Sequence, residues 1–419
     1  MTLHFFDALE TREPDSREQS LLSQLPALIE QAKRAPGWQE ILKNVSGEQI
    51  TSRAALADLP ITRKENLALL QQQHLPFGQL HVTPIEQMRR AFMSPGPIFE
   101  AQGVGADWWR CSRALFALGL QRGDVLQNCF SYHFTPGAFL IEEGALHLGG
   151  VVIPAGPGQT EMQVQAMSAL KASAYAGTPS FLQHIIKKAQ DIGADISNLQ
   201  KAMVSAEALP DSLRAWLQAN GVKRVLQFYG TADLGVIAYE TLNADGQVDP
   251  GLVLDESLIL EVLKPGTGIP VSVGEVGEIV ITSLNTQCPL IRFGTGDLTK
   301  VLPGLSSCGR TNTRIQGWMG RADQLTKVKG MFVHPQHVTQ IIRRHSFIHK
   351  ARLVVSKQSG QDVMTLACEV SSLEQAKTAL ETVINSIREI TQLRGEIRWV
   401  EPGSLPADGI LIEDARVLE

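Results

Sequence analysis

Between Asp124 and Tyr229 the chain alternates, and that alternation restricts its fold more than any other feature. Strand-like runs lie at Asp124–Tyr132, Gly150–Pro154, Ala174–Gly177, Lys201–Ser205 and Val225–Tyr229. Helical runs separate them at Gly137–Leu148, Glu161–Leu170, Phe181–Ile192 and Pro210–Asn220. Strands spaced by helices of about a dozen residues imply βαβ units and a parallel sheet. Ligands of such sheets bind outside the carboxyl ends of the strands. Chemistry is therefore expected in the loops that follow those ends.

The flanks read differently. Ser16–Ala35 is expected to form one amphipathic helix, with Leu21, Leu22, Leu25, Leu28, Ile29 and Ala32 at helical spacing. Thr62 is the expected N-cap of a helix starting near Lys64. Met88–Gly105 has turn residues in its middle and reads as a loop between two short strands. A helix is expected from Asp107, closed by Gly119, with Trp108 and Trp109 packing on it. After Tyr239 come strands without long helices, implying a smaller antiparallel sheet or distorted barrel. Beyond Asp323 a strand–helix pair, two strands, a helix and a strand form an α+β unit of about a hundred residues. The expected whole is α/β. Residues 1–320 form a large domain of mixed or parallel sheets flanked by helices, with a small β-barrel-like part. Residues 321–325 form a hinge, and residues 326–419 a small mobile α+β lid.

Charge narrows the function. The net charge of −5 lacks the basic excess of a phosphate-binding surface, so nucleic acid is not the expected partner. No apolar run reaches the roughly 18–20 residues that span a bilayer. The N-terminus turns acidic too early for a signal peptide. A cytoplasmic protein is expected. The five cysteines are scattered without a C-x-x-C pair, as in reduced, mostly buried thiols. His334 and His337 have no evident third ligand and read as surface or packing residues.

Each strand-end loop carries two readings. In Ala155–Glu161, Gly156 and Gly158 let a ligand approach the backbone while Gln159 and Thr160 cap the next helix; the plainer reading is a tight turn. In Ser205–Pro210, Glu207 is an acceptor for a base or ribose edge, or an ordinary carboxylate at a helix N-terminus. In Tyr229–Gly235, the Tyr229 ring can stack on a planar group and Asp233 can hold a divalent cation beside phosphates. Alternatively Thr231 and Asp233 cap a helix. Asp297, after Gly294 and Gly296, suits the two hydroxyls of a ribose, or bonds its own backbone. Arg321 can pair with phosphate or ribose and Asp323 can be a pivot, or both lie on a surface turn.

The order of these motifs is more specific than any one of them. LPITRKENL at Leu59–Leu67, VVIPAGPGQTEMQVQ at Val151–Gln165, YGTAD, GEVGEIVIT, IRFGTGDL and GRADQLTKVKG together resemble the adenylate-forming superfamily. They resemble most its phenylacetate–CoA ligase branch, over nearly the whole chain. The resemblance implies activation of a carboxylic acid, an aryl acid by analogy, with ATP and Mg2+. An acyl-adenylate then reacts with coenzyme A or a carrier thiol while the small domain swings. It implies nucleotide contacts at Glu207, Tyr229, Gly230, Thr231, Asp297 and Arg321, metal at Asp233, and a hinge at Asp323. Lys327 would enter for the second step. Tyr132, His133, Phe134, Gly156 and Gly158 would line the acyl pocket.

Three departures go with it. The phosphate loop is only Ser94–Pro97, with two prolines, no lysine and fewer N–H donors. Ala232 stands for a hydroxyl residue, and Asp233 is one methylene shorter than the family's Glu. Near the C-terminus Gly409 and Ile410 stand where Gly-Lys is expected. Losing that charge at a reacting phosphoryl group predicts slowed adenylation, unless Lys327, Lys329, Arg90 or a partner substitutes. The alternatives are a non-adenylating homologue that binds nucleotide or aryl acid as a carrier or scaffold, and an enzyme of the thiol-transfer half-reaction alone.

Overall fold

A computed structural model describes residues 4–94, 97–322, 326–333, 335–358, 360–406 and 410–416. Pro95, Gly96, Asp323, His334 and Gly409 lie outside them. The chain forms two compact units, Met1–Met319 and Gly320–Glu419.

In the first unit a short strand β1 (Thr62–Arg63) precedes a hairpin of β2 (Arg90–Ser94) and β3 (Ile98–Gln102). The alternating region then gives β4 (Val125–Asn128), β5 (Val151–Pro154), β6 (Ala174–Gly177), β7 (Lys201–Val204) and β8 (Arg224–Thr231). These five pair in parallel, in the order β5-β4-β6-β7-β8. Successive residues face opposite layers, as the period of two requires. Ala174, Ala176, Met203 and Leu226 pack toward the helices Cys111–Leu118 and Gly137–His147. Tyr175, Ala202, Val204 and Val225 pack toward the helices Pro179–Asp191 and Asp211–Ala219.

At β8 the sheet changes direction. Its link to β9 (Gly235–Tyr239) is too short for a crossover, so β9 returns antiparallel, pairing Thr231 with Gly235. Glycine is needed on both sides of this turn. Gly235 has φ +76°, and a Cβ there would lie 2.8 Å from the Trp109 carbonyl. A Cβ on Gly230 would lie 2.4 Å from the Gly235 carbonyl. The later strands are β10 (Leu252–Leu254), β11 (Leu258–Leu263), β12 (Gly277–Ser283), β13 (Leu290–Thr299), β14 (Val301–Leu302) and β15 (Arg314–Ile315). β10, β15 and β14 extend the large sheet to nine strands. The other three form a second sheet, β1-β13-β12-β11, antiparallel except for β1. Of the two forms expected here, the open sheet is the one present, and it is not closed into a barrel. Leu25, Leu28 and Ile29 share a core with Ile259, Ile279, Ile281 and Phe293 of this sheet.

Several local expectations are corrected. The N-terminal helix is two, Pro14–Leu22 and Leu25–Ala32. Pro26, without an N–H, suits the first turn of a new helix better than the middle of a long one. Thr62 is not a cap: it pairs with Phe293 in β1, and Arg63 precedes the helix Lys64–Gln73 without a side-chain cap bond. The helix expected from Asp107 starts at Cys111. Asp107 instead accepts the N–H groups of Cys111 (2.8 Å) and Ser112 (2.9 Å) from below the first turn. Gly119 closes it at φ +91°.

The second unit has a hairpin of β16 (Thr326–Val328) and β17 (Met331–Val333), then the helix Pro335–Arg344. β18 (Ile348–Gln358), β19 (Gln361–Val370), β20 (Glu396–Val400) and β21 (Ile412–Asp414) form a sheet ordered β20-β19-β18-β21. The single helix expected from Ser372 to Ile390 is two, Leu373–Thr378 and Leu380–Thr391. Val338, Ile341, Leu353, Leu366, Val383 and Ile387 build the core of this unit. No helix among the described residues is long and apolar enough to cross a membrane.

Candidate active site

A side chain links the nine-stranded and four-stranded sheets of the first unit. Tyr229, near the end of β8, donates its hydroxyl to Asp297 Oδ2 on β13 at 2.7 Å. Thr295 steadies the same strand: its Oγ1 accepts the Asp297 N–H at 3.1 Å and donates to the Ile279 carbonyl at 3.1 Å. Trp318 Nε1 donates to the other carboxylate oxygen, Oδ1, at 3.0 Å. Both Asp297 oxygens therefore have neutral donors, and the residue is only 7% exposed. Trp318 is 43% exposed and Tyr229 is buried, so the indole is the looser cover.

Beyond Tyr229 the turn does not start a helix. Thr231 Oγ1 accepts the Leu234 N–H at 3.1 Å, closing the β8–β9 turn. Asp233 is bonded through Oδ2 to Lys64 Nζ at 2.7 Å; the Asp233 side chain is 3% exposed and that of Lys64 33%. Asp233 Oδ1 has no hydrogen-bond partner. Glu100, on β3, is 5% exposed, and neither of its oxygens has a partner of acceptable geometry. Burial first, and the Asp233 charge second, push its pKa up to about 7, against the opposing charge of Lys64. Glu100 and Asp233 line a cavity of about 40 Å³ together with His81, Trp108, Trp109 and Cys288. Burial pushes His81 down to about 4, so its ring is neutral at pH 7. Trp108 and Trp109 precede the helix Cys111–Leu118 and pack with its Ala114, Leu115 and Leu118, as expected, and both also line this cavity.

The donor set fits a hard cation. Asp233 Oδ1 and the Glu100 oxygens are buried carboxylate oxygens without donors, the ligand type that Mg2+ takes. No group of three or more His, Cys, Asp or Glu among the described residues could hold a metal. The remaining shell would therefore come from water and phosphate.

The loops expected to line an acyl pocket are tied down by residues that the sequence did not single out. Gln163 Nε2 donates to the carbonyls of Gly156 (2.8 Å) and Gly158 (3.2 Å). Both glycines have positive φ and open space where a Cβ would point. Gln159 makes no side-chain cap bond. Tyr132 accepts from Asn128 at 3.0 Å and donates to Glu142 at 2.8 Å. Its phenol is pushed up, by burial and then by the Glu142 carboxylate. His133 and Phe134 are exposed, and the Phe134 carbonyl accepts the Met93 N–H at 2.9 Å, tying this loop to β2. Arg90 is committed elsewhere: Nη1 bonds Gln102 (2.7 Å) and Glu143 (2.9 Å), with the guanidinium over the Phe139 ring.

The first unit thus brings Tyr229 to Asp297, with Gly230, Thr231 and Asp233 following on the same strand and turn. Glu207 is not in that cluster: it is exposed and accepts from Ser180 N at 3.4 Å, at the start of the helix Pro179–Asp191. Arg321 and Lys327 belong to the second unit, with Lys327 exposed on the β16–β17 hairpin. Ile410 is 39% exposed.

A family model described as AMP-binding enzyme matches residues 104–286. Phenylacetate-coenzyme A ligase of Thermus thermophilus is 26% identical over 409 residues, covering 89% of this chain and 90% of that one. The ligase of the same name from Aromatoleum evansii is 28% identical over 343 residues, covering 78% and 75%. The chain is similar over most of its length to named ligases of the adenylate-forming, phenylacetate–CoA ligase-like branch. Solved structures agree on the fold. A 2-hydroxyisobutyryl-CoA ligase in complex with 2-HIB-AMP and CoA matches at a TM-score of 0.79 with 22% identity, over 98% of this chain and 92% of that one. An amide bond synthetase from Marinactinospora thermotolerans matches at 0.55 with 16% identity, over 94% and 93%. The contacts of Trp318, Lys64 and Gln163, and the burial of Glu100, are features of this chain that its motifs did not announce.

Proposed function

We propose that this chain is an AMP-forming acid–thiol ligase acting on a small carboxylic acid, with an aryl acid as the preferred class. The acid's carboxylate oxygen attacks the α-phosphorus of ATP, forming an acyl-adenylate and releasing pyrophosphate. The thiol of coenzyme A then attacks the acyl carbonyl and AMP leaves. The observation that carries this reading is the Tyr229–Asp297 pair. It is a buried carboxylate at the junction of two sheets, held by side-chain donors that a ribose diol could replace. Kinship to named phenylacetate ligases over most of the chain supports the acid and the thiol.

In this reading Asp297 receives the ribose hydroxyls, and Tyr229 and Gly230 flank the base and acyl group. Thr231 offers the hydroxyl that Ala232 lacks. Glu207 belongs to the adenine loop by resemblance. Tyr132, His133, Phe134, Gly156 and Gly158 form the acyl side. Asp233 would hold a divalent cation, which supplies neutralisation of phosphate charge when bound. The resemblance assigns Arg321 to ribose or phosphate, Asp323 to the hinge and Lys327 to the thiol step. Arg90 is a poor substitute for the missing lysine, because Glu143 already holds it. With Ile410 at the lysine position, adenylation is expected to be slow rather than absent.

ATP–pyrophosphate exchange against a panel of aryl and alkyl acids tests the reading. Exchange with an aryl acid is the expected result. If AMP binds without exchange for any acid, while supplied acyl-adenylate and coenzyme A still give thioester, the chain performs only the second half-reaction.

A further inference from the structure

Glu100 has no part in the reading above. It lies mid-strand in β3, opposite Phe92 in the hairpin register, and its side chain enters the core of the first unit. Neither Glu100 oxygen nor Asp233 Oδ1 has a well-aligned hydrogen-bond donor, although Ser94 lies close enough to Glu100 to favour its charged form, and both acids line the same cavity. A buried carboxylate without a donor is costly, and the usual resolutions are a proton or a cation. Lys64 pairs with Asp233 through Oδ2, and Arg110 also lines the cavity, while Glu100 has no ion pair of its own among the described residues. About 40 Å³ is more than the roughly 10–15 Å³ that one water needs, so an ion with bound water fits. Mg2+ is commonly held by one or two carboxylates, with phosphate and water completing the shell.

We propose that Glu100 is a second protein ligand, beside Asp233, for the divalent cation that accompanies the nucleotide. It supplies the reach that Asp at position 233 lacks. The inference rests on the nucleotide reading of this site. Glu100 comes from the hairpin that carries the shortened phosphate loop, so a bridged cation also ties that hairpin to the β8–β9 turn.

The test uses Mn2+ as the probe, titrated into the full chain with saturating AMP and followed by the loss of the free-ion EPR signal. E100Q keeps the shape of a protonated glutamate. It is expected to weaken Mn2+ binding at least tenfold, as D233N does, while AMP affinity measured without metal changes less than twofold. If E100Q binds Mn2+ like the wild type while D233N does not, Asp233 acts alone and the proposal falls. It also falls if AMP binds but no Mn2+ is taken up. Failure of AMP to bind the wild type marks failure of the nucleotide reading itself. Should E100Q lose its cooperative melt, E100D replaces it. An affinity between those of wild type and D233N is then expected, and a wild-type value overturns the proposal.

Discussion

At the level of single residues, the Asp297 carboxylate sets the terms. A ribose diol presents two donors, and each Asp297 oxygen already accepts one on its two lone pairs, so the diol competes with Tyr229 and Trp318 for room around the carboxylate. Trp318 is the more exposed and the simpler to displace. Trp318→Phe removes the indole donor and is expected to tighten AMP binding several-fold; calorimetry of AMP binding checks this, and weaker binding would mean that the indole helps to hold the nucleotide. The Lys64–Asp233 pair is a second case. Lys64→Met leaves a nearly buried carboxylate charged and is expected to cost about 1–3 kcal/mol in denaturant unfolding. That is less than for a fully buried pair, because Lys64 is one-third exposed. The double variant Lys64→Met with Asp233→Asn should recover part of the loss. Asp297, Tyr229 and Asp233 stood out in the sequence by the apolar runs and glycines beside them, and the structure places the first two within β13 and β8 and the third in the β8–β9 turn. Their partners did not stand out: Lys64 and Asp233 are 169 residues apart, and Trp318 and Asp297 21 apart, with no periodicity to link them.

At the level of elements, the strand and helix patterns between Asp124 and Tyr229 located every strand to within a few residues, the largely buried β4, β6, β7 and β8 as well as the more exposed edge strand β5. The failures lie where a distant strand or side chain claims a residue. Thr62 looks like a cap until β13 pairs with it. Asp107 looks like a helix start, yet it caps from outside. Asp107→Ala should cost about 1–2 kcal/mol of unfolding free energy, since two N–H groups at the helix start lose their acceptor. Asp124, at the start of β4, gives a pH signature. Burial raises its pKa, but Lys201 at 2.6 Å and Ser173 at 2.7 Å outweigh that, so the folded value lies below the usual 3.8. The sign follows: this contribution is present above the unfolded pKa and is lost as pH falls through the folded one. Lys201→Met should therefore destabilise more at pH 7 than near pH 3, as thermal melts at the two pH values would record.

For the molecule as a whole, motif order pointed to the branch, while the second sheet's openness and the split helices needed the structure. The slowed adenylation that the resemblance implies for Ile410 belongs to this scale too. Ile410→Lys should raise ATP–pyrophosphate exchange by at least tenfold, and an unchanged rate would place the limit in the Ser94–Pro97 loop. Lastly, the bond from Met93 N–H to the Phe134 carbonyl is made by main chain alone. Side-chain replacement at position 134 leaves that tether intact, provided the newcomer accepts φ +63°. An outward-facing rim residue is thereby uncoupled from the anchorage of its own loop. Evolution, or an engineer, can exchange the exposed side chain there without unmooring the strand its main chain holds.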